Sequence, residues 1–178
     1  MRKNVLVLTI LTLILLTNNS CSSPSSSPAT PENAQVHGNL AQVMRGILFP
    51  NSNVIFAAQS TNPADVKLAS DPSTATDPIA SVYGGWMAVE SSGLALAESA
   101  NLLMIPGRTC QNGKPVPMQN PDWAGFVQEL RDAGMAAYKA AQSKNQDNIL
   151  MATDTLTNAC MHCHEKYREK PDDAARCS

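Results

Sequence analysis

Apolar residues recur at helical spacing in four stretches of the chain, and no run alternates strictly enough to compete as a strand. Most of these stretches begin with a capping side chain followed by proline, and they end at proline or glycine. They begin at Thr30-Pro31, Asp77-Pro78, Asn120-Pro121 and near Asn145, and three of them stop at Phe49-Pro50, at Pro106-Gly107 and before Pro171. Four amphipathic helices of this size predict an all-α protein with a four-helix bundle, a fold whose core often holds a cofactor.

Two connections separate the predicted helices. Residues 51–76 are rich in Asn, Ser, Thr, Asp and Pro and have no sustained period, which indicates a long connection with at most a short helical or extended piece at Val54–Gln59. Residues 108–120 form a second predicted loop, and this loop contains Cys110. We therefore expect both segments to lie outside the four helices.

A short apolar run near the N-terminus has the layout of an export signal. Arg2 and Lys3 precede Val5–Leu16, and these twelve residues fall short of the about 20 that a membrane-spanning helix needs. A Ser/Pro-rich stretch follows, which cannot bury apolar surface and is typical of a linker. The predicted organisation is a signal peptide at 1–20, a linker at 21–32 and a folded domain at 33–178.

Cys21 directly follows the predicted signal peptide. A cysteine at this place, next to a flexible tether, is typical of a bacterial lipoprotein and predicts a lipid anchor at its thiol. Asn18 stands where such signals normally have an aliphatic residue, so an ordinary cleaved signal with an incidental cysteine is the alternative.

Composition and charge exclude two classes of protein. The chain has 13 Lys and Arg against 15 Asp and Glu; removal of the signal peptide takes two of the basic residues and leaves eleven against fifteen, a net charge of −4. This balance excludes a nucleic-acid binder that works through a broad basic surface. A mean hydropathy of −0.17 and a single long apolar run exclude a polytopic membrane protein.

The segment Cys160-Met161-His162-Cys163-His164 carries the candidate chemistry. Cys-x-x-Cys-His is the pattern of covalent haem c attachment, in which two thiols bind the vinyl groups and the histidine binds the iron. His162 lies inside the pattern and receives no ligand role. The alternatives are a thioredoxin-like redox pair, which needs a βαβ setting that the sequence lacks, a zinc site, which needs two further ligands, and a local disulfide, which is strained within a helix.

The motif near the C-terminal end, followed by Glu165-Lys166-Tyr167-Arg168, resembles the class II c-type cytochromes, the group of cytochrome c′ and cytochrome c-556. This resemblance implies an antiparallel four-helix bundle at 33–178 with one covalently bound haem c. It implies that Cys160 and Cys163 are the thioether anchors and that His164 is the proximal iron ligand. Arg168 matches a basic residue near the haem edge, and the alternative for it is a solvated charge at a helix end.

The residue on the other side of the iron decides between electron transfer and ligand binding. The resemblance to the c-556 members places a methionine ligand on the first helix, in a context like Leu40–Arg45, and this implies Met44 as the sixth ligand. The cytochromes c′ carry an apolar non-ligand there, and Met44 is then a core residue. His37, seven residues earlier, is the rival ligand or else an exposed residue near the helix start.

The expected function is that of an exported monohaem electron carrier on the periplasmic side of the cell envelope, not an enzyme, with envelope redox proteins as partners. Fixed His164 and Met44 ligands would keep the geometric change between Fe(III) and Fe(II) small. The alternative is a five-coordinate haem protein that binds nitric oxide or carbon monoxide. A peroxidase-like enzyme needs a distal acid–base group, for which only His37 is available. The sequence leaves open whether the chain forms a homodimer.

Two cysteines remain after the haem anchors and Cys21 are assigned. In an up-down-up-down bundle the 108–120 loop and the C-terminus fall at the same end, so Cys110 and Cys177 can form a disulfide in an oxidising compartment. The alternative is two free surface thiols.

Overall fold

The computed structural model describes residues 34–71, 73, 77–168 and 177 of the 178-residue chain, and this part is all-α, as predicted. The helices are α1 (Leu40–Val43), α2 (Phe49–Ala57), α3 (Trp86–Ser99), α4 (Trp123–Ser143) and α5 (Gln146–Tyr167). A π-helical turn, Met44–Leu48, joins α1 to α2, and residues 40–57 are together called the first helical segment. Short 3-10 turns lie at Pro63–Asp65, Pro78–Ala80 and Ala100–Met104.

Backbone pairing outside the helices and turns is sparse. Two isolated bridges, Thr109 with Pro115 and Arg168 with Cys177, are the only strand-like contacts in the part of the chain that is described. None of the helices there is both long and apolar enough to cross a membrane. The predicted signal peptide, linker and lipid anchor at residues 1–32 lie outside the described residues.

The first helical segment begins later than predicted. Asn39 caps it: the Asn39 side chain accepts a hydrogen bond from the Gln42 amide at 2.9 Å, and the Gln42 side chain accepts one from the Asn39 amide at 2.8 Å. This reciprocal capping box satisfies two amide donors that have no partner within the helix. The prediction of a start at Thr30-Pro31 is therefore wrong for the described residues 34–39, which are not helical.

Pro50 does not end this segment, which corrects the predicted stop at Phe49-Pro50. Proline lacks an amide hydrogen and its ring collides with the carbonyl four residues earlier in an α-helix. Here a wider π turn precedes it, in which the Phe49 amide donates to the Met44 carbonyl five residues back. Helix α2 then continues to Ala57, so much of the expected long connection is helical.

The π turn also aligns the buried faces of α1 and α2. Val43 and Ile55 are both buried, at 8% and 0% exposure. In an uninterrupted α-helix they would point about 120° apart, because each residue turns the helix by about 100°. The π turn absorbs one extra residue and brings the angle down to about 20°. One segment therefore buries both residues against the same core.

Helix α3 begins at Trp86, not at Asp77-Pro78 as predicted. The Asp77 side chain caps only a single 3-10 turn, by accepting from the Ile79 amide. Gly85 then adopts a φ of +60°, a conformation that interrupts a right-handed helix and favours glycine. The predicted stop at Pro106-Gly107 agrees with the 3-10 turn that ends at Met104.

Helices α4 and α5 lie close to their predicted positions. Asn120–Asp122 form a turn before α4, in which the Trp123 amide donates to the Asn120 carbonyl at 3.1 Å. Asn145 caps α5 by accepting from the amides of Asp147 and Asn148. Helix α5 ends at Tyr167, and Arg168 is already extended.

Helices α3, α4 and α5 pack on one another in chain order, and α2 contacts both α3 and α5. The largest fully buried side chains come from all of these helices: Trp123, Ile55, Leu96, Ile149 and Leu156. The Trp123 indole donates to the Leu103 carbonyl at 3.2 Å, so its one polar atom is satisfied inside the core. These contacts hold the elements that surround the cavity described next.

Candidate cofactor site

A cavity of about 500 Å³ lies between the first helical segment, α3, α4 and α5. Its wall is largely apolar, with leucines, alanines, Val127 and aromatic rings. The wall also contains every residue that the sequence analysis assigned to the site: Met44, Cys160, Cys163, His164 and Arg168. Residues 44 and 164 are 120 positions apart in the chain, so this meeting is a result of the fold.

Helix α5 presents one stripe of residues to the cavity. Cys160, Cys163, His164 and Tyr167 follow the i, i+3, i+4, i+7 spacing of a single helix face, and all four line the cavity. His162 lies outside the cavity lining, with a side chain 48% exposed and its Nδ1 at 2.8 Å from the Glu129 carboxylate. Its position is that of an outward-facing residue of the motif.

The two thiols of the stripe are unbonded and half-buried. Burial raises the pKa of Cys160, and burial together with the charges of Cys160, Asp122 and Glu129 raises the pKa of Cys163 to about 11. Both groups are therefore neutral thiols at pH 7, and the local disulfide considered from the sequence is not formed.

His164 is half-buried beside them. Burial, with a smaller contribution from the positive charge of Arg168, lowers the pKa of His164. The neutral imidazole is the form that binds a metal, because the lone pair of the ligating nitrogen must be free. The environment thus favours the protonation state that an iron ligand needs.

Met44 also lines the cavity, from the π turn of the first helical segment. It is half-buried. The extra residue of the π turn reduces the angle between Met44 and Phe49 from about 140° to about 40°, so both side chains line the cavity. A soft, flexible thioether and an aromatic ring are therefore presented together on this side.

His37 does not line the cavity. It is exposed and lies in the irregular backbone before Leu40. Its seven-residue spacing from Met44 therefore does not place the two residues on one helix face. Of the two candidates for the sixth ligand, the structure brings only Met44 to the site.

Three aromatic rings form a wall that the sequence analysis did not assign to the site. Tyr167 meets Trp123 and Phe126 edge to face, with ring centroids 5.1 and 6.0 Å apart. Trp123 and Phe126 share the inner face of α4, a helical spacing visible in the sequence, but nothing in the sequence indicates that this face meets α5 beside His164.

A polar network joins the end of α5 to the start of α4 at this wall. The Tyr167 hydroxyl donates to the Asp122 carboxylate at 2.6 Å and accepts from the side-chain Nδ2 of Asn120 at 3.0 Å. Lys166 pairs with the same Asp122 carboxylate. The hydrogen bonds from Lys166 and Tyr167 lower the pKa of Asp122, which keeps this carboxylate charged and the two helix ends together.

The rim of the cavity includes Gln111 of the 108–120 loop and two described residues after α5, Arg168 and Cys177. Cys110 and Cys177 form a disulfide with Cα atoms 4.9 Å apart, so the predicted pairing is confirmed. Cys177 and Gln111 both line the cavity. The Gln111 side chain accepts a hydrogen bond from the Arg45 guanidinium at 3.1 Å, a pair that the sequence analysis missed.

The donor set fits a covalently attached haem. The volume falls within the about 300–1,000 Å³ of typical cofactor sites, and the lining combines an apolar wall with a few convergent polar groups. A search of the described residues finds no group of three or more His, Cys, Asp or Glu arranged to hold a metal ion directly. A haem iron needs only an axial pair from the protein, such as a histidine and a methionine, because the porphyrin supplies its other ligands.

Comparisons with known proteins return no match: no family model, no curated protein and no solved structure is significantly similar to this chain.

Proposed function

We propose that this chain is an exported c-type cytochrome that carries single electrons. One haem c would be attached through Cys160 and Cys163, with His164 and Met44 as the two axial ligands of its iron. The observation that carries the proposal is the meeting of both thiols, the neutral imidazole and the thioether on the wall of one largely apolar cavity. The attachment motif accounts for the first three of these groups and for their spacing.

The proposed arrangement is an antiparallel bundle around the haem. Supporting it, Gly93 on α3 approaches Tyr138 on α4, while Gly134, earlier on α4, approaches Ala97, later on α3. The order of these contacts is that of two helices that run in opposite directions. The short link between α4 and α5, where Lys144 adopts a left-handed conformation, is likewise typical of neighbouring antiparallel helices.

The haem, when bound, supplies the Fe(III)/Fe(II) couple. The residues of this chain fix its environment. His164 and Met44 come from α5 and the first helical segment, two elements that the core holds in place, so neither ligand has to move when the charge changes. Trp123, Phe126 and Tyr167 exclude water on one side, and a low dielectric together with a methionine ligand raises the reduction potential.

The cellular setting follows from the N-terminal signal. Haem c is attached outside the cytoplasm, so we place the protein on the periplasmic side of the envelope, with a lipid anchor at Cys21 and envelope redox proteins as its partners. The alternative function, binding of nitric oxide or carbon monoxide at a five-coordinate iron, requires that Met44 is not a ligand.

Attachment is tested by comparing the wild-type protein with Cys160→Ala, Cys163→Ala and the double variant, each produced by export in a bacterial host that makes c-type cytochromes. The wild-type haem should survive denaturation and acid–acetone extraction, at one haem per chain, and the double variant should retain none. His162→Ala changes the same motif at its outward position and should keep the haem. Extraction of the wild-type haem, or full covalent incorporation in the double variant, would contradict the proposal.

A further inference from the structure

Two of the described residues that line the cavity, Arg45 and Arg168, carry a full charge at neutral pH. Both charges are positive, and none of the described lining residues is Asp or Glu. An apolar cavity with this rim suits a ligand that is apolar over most of its surface and carries carboxylates at one edge.

Arg45 is placed for such a role by its position and its contacts. It directly follows Met44 in the π turn and lies exposed at the rim. Its Nη1 donates to the Gln111 side-chain oxygen at 3.1 Å. A guanidinium has five N–H donors in a planar fork, so this contact orients Arg45 and leaves donors for a carboxylate. The ion pairs among the described residues, His162 with Glu129 and Lys166 with Asp122, do not involve Arg45.

Gln111 is itself held in place by the loop that carries it. Its neighbour Cys110 is 2% exposed and is bonded to Cys177, and the Cys110 amide donates to the Lys114 carbonyl at 2.8 Å across a turn. The Leu40 amide donates to the Thr109 carbonyl at 2.8 Å, which fixes the same loop to the first helical segment. The loop that carries Gln111 and the helical segment that carries Arg45 are therefore joined by two hydrogen bonds, the one between Leu40 and Thr109 and the one between Arg45 and Gln111.

We propose that Arg45, oriented by Gln111, binds a carboxylate of the cavity ligand. On the function proposed above, on which this inference rests, that carboxylate is a propionate of haem c. Charge-assisted hydrogen bonds from a guanidinium are short and strong, and those of Arg45 would fix the haem edge beside its ligand Met44. Arg45 is thus a binding residue, Gln111 a positioning residue, and the disulfide the link that keeps Gln111 at the rim.

The test compares Arg45→Gln, Arg45→Lys and Gln111→Ala with the wild-type haem protein. Arg45 and Gln111 are exposed, so all three variants should fold and keep covalent haem. Arg131→Gln, at a half-buried position of α4 that does not line the cavity, is the matched control. The two readouts are the midpoint potential and the propionate bending vibration in the resonance Raman spectrum, which responds to hydrogen bonding at the carboxylate.

Arg45→Gln should lower the midpoint potential, because an uncompensated carboxylate near the iron favours Fe(III), and should shift the propionate vibration. Arg45→Lys should keep the potential near that of the wild type, since the charge remains, while the vibration still shifts because the planar fork is lost. Gln111→Ala should shift the vibration less than Arg45→Gln, and Arg131→Gln should change neither readout.

An unchanged vibration in Arg45→Gln, with or without a changed potential, would overturn the binding role. Covalent haem in the wild type combined with that result would refute this inference and leave the proposed function standing. A wild-type protein without covalent haem would overturn both.

Discussion

Gly93 on α3 and Gly134 on α4 lie backbone against backbone. A Cβ atom on Gly93 would come within 2.9 Å of the Gly134 carbonyl oxygen, and one on Gly134 within 2.8 Å of the Gly93 carbonyl oxygen. Neither residue leaves room for a methyl group, so this pair sets how closely the two helices approach. Because α3 contributes Leu96 and α4 contributes Trp123 and Phe126 to the cavity wall, the approach also fixes the spacing of that wall.

We expect Gly93→Ala to destabilise the protein by about 1–3 kcal/mol, since the methyl group has to push rigid backbone apart. Urea unfolding followed by circular dichroism measures the change. Gly125→Ala is the matched control: it lies on the exposed side of α4 with no atom within 4 Å of its added Cβ, so it should be neutral or stabilise the helix by up to about 1 kcal/mol. Equal effects of the two substitutions would refute the close approach.

The disulfide gives a second test of the fold. Replacement of both Cys110 and Cys177 by Ser opens a loop that spans 67 residues, and the chain-entropy argument puts the loss of stability at about 4 kcal/mol. The free energy of unfolding in guanidinium chloride should fall accordingly, and a reductant should lower the stability of the wild type but not that of the double variant. Two alkylatable thiols at these positions in the unreduced, denatured wild type would show that the bridge does not form.

The π turn determines where Met44 points. Insertion of one alanine between Gly46 and Ile47 would rotate α1 against α2 by about 100° and widen the angle between Met44 and Phe49 from about 40° to about 140°, so the two side chains could no longer both line the cavity. We expect a less stable protein whose iron has lost its methionine ligand, seen as high-spin absorption bands. Gly46→Ala, at an exposed position with open space around the added Cβ, is the control and should preserve both properties. A low-spin spectrum in the insertion variant would contradict this assignment.

Met44→Ala tests the sixth ligand directly. Loss of the thioether should open one side of the iron, move the spectrum toward high spin, lower the potential and allow carbon monoxide to bind the ferrous form. Met151→Ala, at a 62% exposed position of α5, should leave all three unchanged. A low-spin spectrum that survives in Met44→Ala and is lost in His37→Ala would instead assign a bis-histidine pair.

The sequence predicted three features from local signals or from composition. The spacing of apolar residues predicted the all-α fold, the Asn145 cap predicted the start of α5, and the two cysteines that remained after the other assignments predicted the disulfide. The sequence placed helix boundaries wrongly where tertiary structure overrides local signals. Pro50 indicates a helix end, yet the burial of both Val43 and Ile55 favours continuing the segment through a π turn. Asp77-Pro78 indicates a helix start, yet Gly85 delays it.

The candidate site shows the same division. The motif predicted Cys160, Cys163 and His164 as site residues, because haem c attachment depends on their spacing along the chain. Gln111 and Arg45 carry no such signal, because their contact joins residues 66 positions apart and exists only once the disulfide-linked loop lies against the first helical segment. The helical spacing of Trp123 and Phe126 was visible in the sequence, but their contact with Tyr167 on α5 was not.

The central claim is that one iron lies between His164 and Met44, and the absorption spectrum of the purified wild-type protein, oxidised and then reduced under carbon monoxide, tests it most directly. Ligation by both residues predicts a low-spin six-coordinate spectrum in both oxidation states and little or no change on addition of carbon monoxide. A high-spin spectrum with ready carbon monoxide binding would contradict the electron-carrier proposal in favour of gas binding, and a protein without haem absorption would contradict haem attachment altogether.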